Sequence, residues 1–327
     1  MPAAIPFISV FIVNYNTRAL LERCLNSVFE TMGHLEIEVF VADNNSTDGS
    51  AEMVRMRFPE VYLTAYSQNV GYTKAVNPLL VSAKGEYLLL LHADVELQPD
   101  TLSWFVEFFE SQPQAGILGA NLHYPDGTPN PCEILFPSFR NDLLSFAVRL
   151  FAKLPGGGKL LGNGNPMEWS HTSTSEVNWV WNACMIIRRR VLEEVGYFDE
   201  RFFVWYADWD LCKRATEAGW LVYYLRSATA IHYERQSYGG GNIPTEAVRY
   251  KVDGWYSGIR QIEDRQRFLR KHSTPASVHA VKMIYVTEYA LRLWLIVFNL
   301  LFRKASVKAA CFQLKTCLQR IQAILNA

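Results

Sequence analysis

The chain has 327 residues, half of them hydrophobic, which is enough for one large domain or a main domain with an appendage. Lysine plus arginine and aspartate plus glutamate both number 32, so the formal net charge is zero and no global field points to nucleic acid or an acidic polymer. An electrostatic partner has to be met locally.

The first segment, "MPAAIPFISVFIV", has no basic stretch ahead of its apolar run and leads straight into Asn14, Tyr15 and Asn16. That pattern fits a first buried strand rather than a secretion signal, and the chain is expected to stay in the cytoplasm. There follow a helical stretch "RALLERCLNSVFETM", a run "IEVFVAD", a helical "GSAEMVRMRF", a run "VYLTAY", a further helix and the run "YLLLLHAD". Short apolar runs alternating with helical periods predict βαβ units, hence an α/β fold with a mostly parallel, Rossmann-like central sheet flanked by helices. In such sheets ligands sit beyond the carboxyl ends of the strands. The residues there are polar: Asn14, Tyr15 and Asn16 after the first, Asp43, Asn44 and Asn45 after the second, His92, Ala93 and Asp94 after the fourth. No GxGxxG or GxxxxGK[ST] follows any of them, which argues against a dinucleotide dehydrogenase and a P-loop enzyme.

In the middle, "PDGTPNP" reads as a turn and "LPGGGKLLGNGNP" as a loop, with a mobile flap expected over residues 155–166. A strand and a helix are expected in "VNWVWNACMIIRRRVLEEVGYFDERFF". The stretch "DLCKRATEAGW" then predicts a helix with Leu211, Ala215 and Ala218 on one side and Gly219 at its end. On this reading Asp208 lies just ahead of the helix and Asp210 near its first residue. The six cysteines form no CxxC pair and read as reduced, mostly buried thiols.

From Tyr250 the chain turns helical. The run from Met283 to Phe302 approaches a membrane span in length but contains Glu288 and Arg292, which favours an interfacial helix over a true span. From His279 onward Lys282, Arg292, Arg303, Lys304, Lys308, Lys315 and Arg320 stand against Glu288 alone, in apolar and aromatic company. That combination predicts contact with an anionic membrane surface; a helical hairpin packed on the main domain, or a homodimer interface, is the competing reading.

The stretch "FFVWYADWDLCKRATEAGW" places two carboxylates, Asp208 and Asp210, among Phe202, Phe203, Trp205, Tyr206 and Trp209. Charge in such company is costly unless it is paired or used. The blocks "SVFIVNYNTRALLERCLNSV", "VADNNSTDGS", "NVGYTKAVN", "LLLLHADVEL", "NWVWNACMIIRR", "GYFDERFFVWYADWDLCKRATEAGW" and "IHYERQS" resemble, in order and spacing, family 2 glycosyltransferases, in particular their bacterial rhamnosyltransferase-like branch. The resemblance implies a GT-A catalytic domain over residues 1–240, with residues 241–327 as a helical C-terminal region. It also implies a nucleoside-diphosphate sugar donor, a divalent metal, Mg2+ or Mn2+, and inversion at the anomeric carbon. Deoxythymidine-diphosphate rhamnose leads as donor over galactose, glucose or N-acetylglucosamine, with a glycan or polyprenyl-linked glycan as acceptor on the inner face of the membrane.

Residue by residue, the resemblance makes Asp94 the last acid of the DxD metal motif, whose first acid is His92 here, and His232 a further metal ligand. Capping of a turn by Asp94 and core packing of His232 are the structural alternatives. Asp43 matches the acid that contacts the base, with Tyr15 and Asn16 beside it. Asn69, Lys74 and Asn77 resemble the segment along the ribose and diphosphate. Asp208 matches the catalytic base of the "ED" motif, its Glu replaced by Ala207. Asp210 becomes its neighbour or an acceptor contact, with Trp179, Trp205 and Trp209 as acceptor platforms or core. Trp181 and Asn182 replace the family's pair of small residue and glycine. Two rivals stand outside this class: a sugar-nucleotide-binding module without turnover, which His92 and Ala207 would suit, and a nucleotidyltransferase, which "NYNTRALL" does not suit because it lacks glycines and clustered cations.

Overall fold

The computed structural model describes residues 7–130, 136–152, 173–233, 254–301 and 307–326. Contacts divide the chain into two compact units, Met1–Ile134 with Glu168–Ile243, and Leu135–Met167 with Pro244–Ala327. The flap expected at residues 155–166, and Cys132, lie outside the described residues.

The first unit is built on one nine-stranded sheet in the order β3-β2-β1-β4-β8-β6-β9-β5, with β7 also paired to β9. Its first half follows the alternation seen in the sequence: β1 (Phe7–Asn14), α1 (Arg18–Thr31), β2 (Glu36–Asp43), α2 (Ser50–Arg57), β3 (Tyr62–Ala65), α3 (Tyr72–Ser82) and β4 (Tyr87–His92). β3, β2, β1 and β4 are parallel neighbours. β1 is enclosed on both faces. Ile8, Val10 and Ile12 join Leu21, Leu25 and Val28 of α1 and Met53 of α2 in one core, while Phe11, on the opposite face, stacks on Phe40, which stacks on Tyr62.

The second half is mixed. β5 (Val95–Leu97), α4 (Thr101–Ser111), β6 (Ala115–His123), β7 (Ser175–Glu176), β8 (Cys184–Arg188), α6 (Arg189–Val195), α7 (Ala207–Glu217) and β9 (Leu221–His232) complete the unit. β8 runs antiparallel to β4 and β6, β9 runs parallel to β6, and β5 and β7 run antiparallel to β9. The sheet is thus parallel where βαβ units alternate and of mixed direction where later strands are added beside β4.

α7 starts earlier than the sequence pattern suggests. Tyr206 takes a left-handed backbone conformation, φ +63°, and turns the chain into the helix at Ala207, so Asp208 is its second residue and Asp210 its fourth. Gly219, φ +92°, follows its end. Leu211 and Ala215 are buried as expected, whereas Ala218 is exposed at the C-cap.

The second unit holds α5 (Phe139–Ala152), α8 (Gly254–His272), α9 (Pro275–Leu301) and α10 (Val307–Asn326). Its small cores join Leu269, Val278 and Val281, and Tyr289, Cys317 and Ile324. Asp142 is buried, pairs with Arg265 and accepts from the Tyr285 hydroxyl at 3.1 Å. Glu288 and Arg292, the charges that argued against a membrane span, pair at 2.6 Å one turn apart. No described helix is long and apolar enough to cross a membrane. Cys24, Cys184, Cys212 and Cys317 are buried free thiols and Cys311 an exposed one.

Candidate active site

Two sheet pairings and one turn bring the residues of the site together. β5 runs antiparallel to the end of β9, with Val95 opposite His232, so Asp94 is delivered beside that histidine. β8 pairs with β4 as far as Leu91 and Cys184, and the amide of His92 donates to the Ala183 carbonyl at 2.9 Å, which lays Asn182 alongside His92. The turn after β6, closed by Tyr124 and Thr128, returns Asn130 to donate from its backbone to the Leu122 carbonyl at 2.9 Å.

The result is a cluster of His92, Asp94 and His232 whose ligand atoms all lie within 4.8 Å of one another. Asp94 Oδ1 is 3.4 Å from His232 Nε2 and 4.0 Å from His92 Nδ1. The outer ring nitrogens are also engaged: His92 Nε2 with Asn182 Oδ1 and His232 Nδ1 with the Asn130 side-chain amide, both at 3.0 Å. Burial holds the His92 imidazolium form down, to a pKa of about 4, against the Asp94 charge that favours it; the ring is therefore neutral, as a metal ligand must be. Two imidazoles and one buried carboxylate converging on a point are a donor set that fits a divalent metal ion.

Asp208 lies next to this cluster through one shared residue. Asn182, whose side chain holds His92, also donates its backbone N–H to Asp208 Oδ2 at 3.4 Å, and the Trp209 N–H donates to Oδ1 at 2.9 Å. The carboxyl is 9% exposed, and burial raises it to a pKa of about 7, more than the two N–H groups pull it down. Tyr72, whose ring meets that of His92 at 6.0 Å, has its phenol pushed far up by burial and then by the Asp208 charge, so it stays neutral.

Aromatic rings line the wall between the two. Tyr206 meets Trp209 at 4.9 Å, Trp209 meets Trp179 at 4.4 Å, Trp179 meets Trp181 at 6.5 Å and Trp181 meets His232 at 6.2 Å. Trp179 and Trp209 are buried, while Trp205 keeps partial exposure. Asp210 is enclosed completely: Arg214 Nε donates to its Oδ2 at 2.9 Å, and the same guanidinium donates to the carbonyls of Val195, Gly196 and Tyr197. Its position is that of a structural ion pair behind the site.

Tyr15, Asn16, Asp43 and Asn69 gather at the ends of β1 and β2. Asn14, opposite Asp43 in the sheet register, donates to Asp43 Oδ1 at 2.8 Å, and the Ser46 N–H donates to Oδ2 at 2.9 Å. The Ser46 hydroxyl accepts from the Asn16 N–H at 2.9 Å. Asn44 donates to Asn69 Oδ1 at 2.9 Å and accepts from the Val70 N–H at 2.9 Å, clipping the loop before α3 to the end of β2. Tyr15 is 45% exposed at the rim.

Lys74 and Asn77 are not drawn into either group. Lys74 is exposed on α3. Asn77 is a latch: its amide donates to the Phe198 carbonyl at 2.9 Å and to Glu200 at 3.2 Å, and its oxygen accepts from the Phe198 N–H at 3.2 Å. With Thr73 donating to the Phe202 carbonyl and Tyr72 to that of Phe203, α3 anchors the segment that leads to Asp208. Asn130 escaped the sequence analysis because "PDGTPNP" reads as turn chemistry alone; the signal was a polar residue in the turn that closes on a buried strand ending at the ligand-binding edge.

With the geometry in view, comparisons with known proteins are specific. Residues 9–146 match the family model described as glycosyl transferase family 2. An N-acetylglucosaminyl-diphospho-decaprenol L-rhamnosyltransferase of Mycobacterium tuberculosis is 30% identical over 254 residues, spanning 74% of this chain and 81% of that protein. The O-antigen biosynthesis protein RfbC of Myxococcus xanthus is 28% identical over 258 residues, 77% of this chain but 19% of that protein. Among solved structures, a mannosyltransferase from Pyrobaculum calidifontis, in complex with GDP-Man and Mn2+, superposes with TM-score 0.51 at 17% identity, covering 100% of this chain and 77% of that chain, a likeness of fold. On the family model and the mycobacterial relative together, the chain belongs to glycosyl transferase family 2, with the GT-A fold and the sequence character of its rhamnosyltransferase-like members.

Proposed function

We propose that this glycosyltransferase moves rhamnose, with inversion, from a nucleoside-diphosphate sugar to a polyprenyl-linked glycan at the cytoplasmic face of the membrane. The observation that carries the reading is Asn182: its side chain holds the metal-ligating cluster and its backbone holds a carboxylate raised to about 7. A cation site and a proton acceptor joined by one residue are what an inverting transfer requires. The printed activity of the mycobacterial relative supports rhamnose and a lipid-linked acceptor.

In this mechanism Asp208 takes the proton of the acceptor hydroxyl as that oxygen attacks the anomeric carbon from the face opposite the nucleotide. The new glycosidic bond forms as the bond from the anomeric carbon to the diphosphate oxygen breaks, and the nucleoside diphosphate leaves with the electron pair. His92, Asp94 and His232 would hold a divalent ion, Mg2+ or Mn2+, which when bound supplies positive charge to the departing diphosphate. Asp43 keeps a lone pair on each oxygen for the N3–H of a pyrimidine base, with Tyr15 and Asn16 beside it. Asn69 and the Lys74 ammonium serve the ribose and diphosphate, and Asn77 acts by holding residues 198–200. Trp205 offers the acceptor a stacking face, Trp179 and Trp209 back it and exclude water, and Asp210 acts on stability, tying α7 through Arg214 to residues 195–197.

The helical second unit is proposed as the membrane-contacting part. Leu291, Trp294, Leu295 and Phe298 are exposed along α9, with Trp294 62% exposed, and Lys315 is exposed on α10. Arg303, Lys304 and Lys308 lie outside the residues whose side chains are described. Sedimentation with anionic vesicles checks this, and a Trp294→Glu variant should lose it; a stable dimer without vesicle binding would favour the homodimer reading.

The deciding experiment incubates purified protein and Mn2+ with a panel of nucleoside-diphosphate sugars and a polyprenyl-diphosphate N-acetylglucosamine, and reads the product by mass spectrometry. Transfer from deoxythymidine-diphosphate rhamnose is expected. Donor binding with neither transfer nor hydrolysis would replace the enzyme reading with a binding module.

A further inference from the structure

We propose that Asn130 and Asn182 are positioning residues that set the tautomers of His232 and His92, so that one nitrogen lone pair from each ring faces Asp94 and the site selects a transition-metal dication over Mg2+. The inference rests on the reading of this cluster as the metal site and specifies how this chain builds it.

Asn182 Oδ1 can only accept, so at 3.0 Å it places the His92 imidazole proton on Nε2 and leaves the lone pair on Nδ1, the atom 4.0 Å from Asp94. His232 is governed by a residue that can answer in two ways. With the Asn130 N–H facing Nδ1, as here, the ring proton lies on Nε2 and points to Asp94 at 3.4 Å. A half-turn of the same carboxamide presents Oδ1 instead, moves the ring proton to Nδ1 and frees the Nε2 lone pair for a cation shared with Asp94. Asn130 Oδ1 is buried and has no hydrogen-bond partner among the described residues, so the turn breaks no bond at that atom. An asparagine thus serves the site with or without its ion, which neither an apolar residue nor a carboxylate would do.

Two imidazole nitrogens and one carboxylate oxygen make a mixed donor set. Mg2+ holds to oxygen ligands in a near-ideal octahedron, whereas Co2+ and Zn2+ accept imidazole readily and Mn2+, though it also favours oxygen, tolerates it better than Mg2+. The backbone N–H of Asn182, which reaches Asp208, is untouched by changes to its side chain. Side-chain variants therefore probe the metal site separately from the carboxylate.

The test uses the full chain stripped by a chelator and titrated with Co2+ alone, followed by visible absorption, with calorimetry for Mn2+ and Mg2+. Wild-type protein should bind Co2+ and Mn2+ at least about 10-fold more tightly than Mg2+. Asn130→Leu and Asn182→Leu should each weaken Co2+ binding by about 10- to 100-fold, and Asn130→Asp, which keeps the acceptor, should retain it. If a leucine variant loses the wild-type circular dichroism, the serine variant takes its place with the same expected loss, because its hydroxyl falls short of the ring. Co2+ affinity unchanged in these variants, or Mg2+ bound as tightly as Mn2+, would overturn the inference. Asp94→Ala separates the two readings: if it alone abolishes Co2+ binding, the metal site stands and the asparagine roles fall; if Co2+ still binds normally, both fall.

Discussion

Asp208 and Asp210 stand two residues apart at the start of α7, both buried, yet the two sides of that helical turn differ in kind. Asp210 meets a guanidinium that is itself tied to three carbonyls, so its charge is neutralised within a closed network. Asp208 receives two backbone N–H groups, one at 3.4 Å, and no ion pair among the described residues reaches it. A buried carboxylate with a partner cation stays ionised and holds structure; one desolvated without a cation is poised to exchange a proton near neutrality. The same local sequence, "DWD", therefore yields two different chemistries because α7 turns its second residue to the site and its fourth to the segment around Val195.

The largest effect that would break this contrast concerns turnover. Asp208→Asn should lower kcat by about 10²- to 10⁴-fold with donor KM little changed, read in a transfer assay with saturating acceptor. Wild-type turnover from that variant would remove Asp208 from the proposed role. Asp210→Ala should act through stability instead, costing about 3–5 kcal/mol by leaving Arg214 without its carboxylate, as measured by urea unfolding. The fraction that remains folded should keep its turnover per site.

A third expectation sharpens the contrast through pH. Only ionised Asp208 can take a proton, so kcat should rise with pH through about 7 and level off above it. The stability effect runs the other way: with the folded pKa raised, the unfolded chain releases this proton first, and Asp208 destabilises the fold progressively between about pH 4 and pH 7. Asp208→Asn should therefore match wild type near pH 4 and exceed it above pH 7, by up to about 4 kcal/mol. Tm measured against pH for both proteins checks this, and parallel curves would show that the carboxyl is not desolvated.

The smallest effect tests the anchor beneath. Gly71 has φ +88°, and an added Cβ would lie 2.6 Å from Phe203 Cδ2. Gly71→Ala should cost about 1–3 kcal/mol through strain and overpacking, with a rise in KM as the segment leading to Asp208 shifts. Equal stability with unchanged kinetics would show that the packing of α3 on residues 202–203 does not set the site.

Much of the site was legible as a set of strand ends. The apolar runs ending at Asn14, Asp43 and His92 became β1, β2 and β4, and the polar residues after them fall at one edge of the sheet because parallel strands with helical crossovers all point their carboxyl ends the same way. Asn77 and Asn130 were not legible in these roles. Both are asparagines in segments whose local pattern says only helix or turn, and what each does depends on the residue opposite, Phe198 in one case and His232 in the other.

The sequence by itself determined the alternation of strands and helices, the edge where ligand-binding groups collect and the presence of two acids in an aromatic stretch. These follow from hydrophobic period and from residue type, which are local properties. Tertiary structure alone decided that β5 and β9 run antiparallel and so bring Asp94 to His232, that Asn182 joins His92 to Asp208, and that Asp210 turns inward to Arg214. Register across strands and the cost of desolvation are set by neighbours distant in the chain, and a carboxylate's chemistry is fixed by the charge, or its absence, that folding puts beside it.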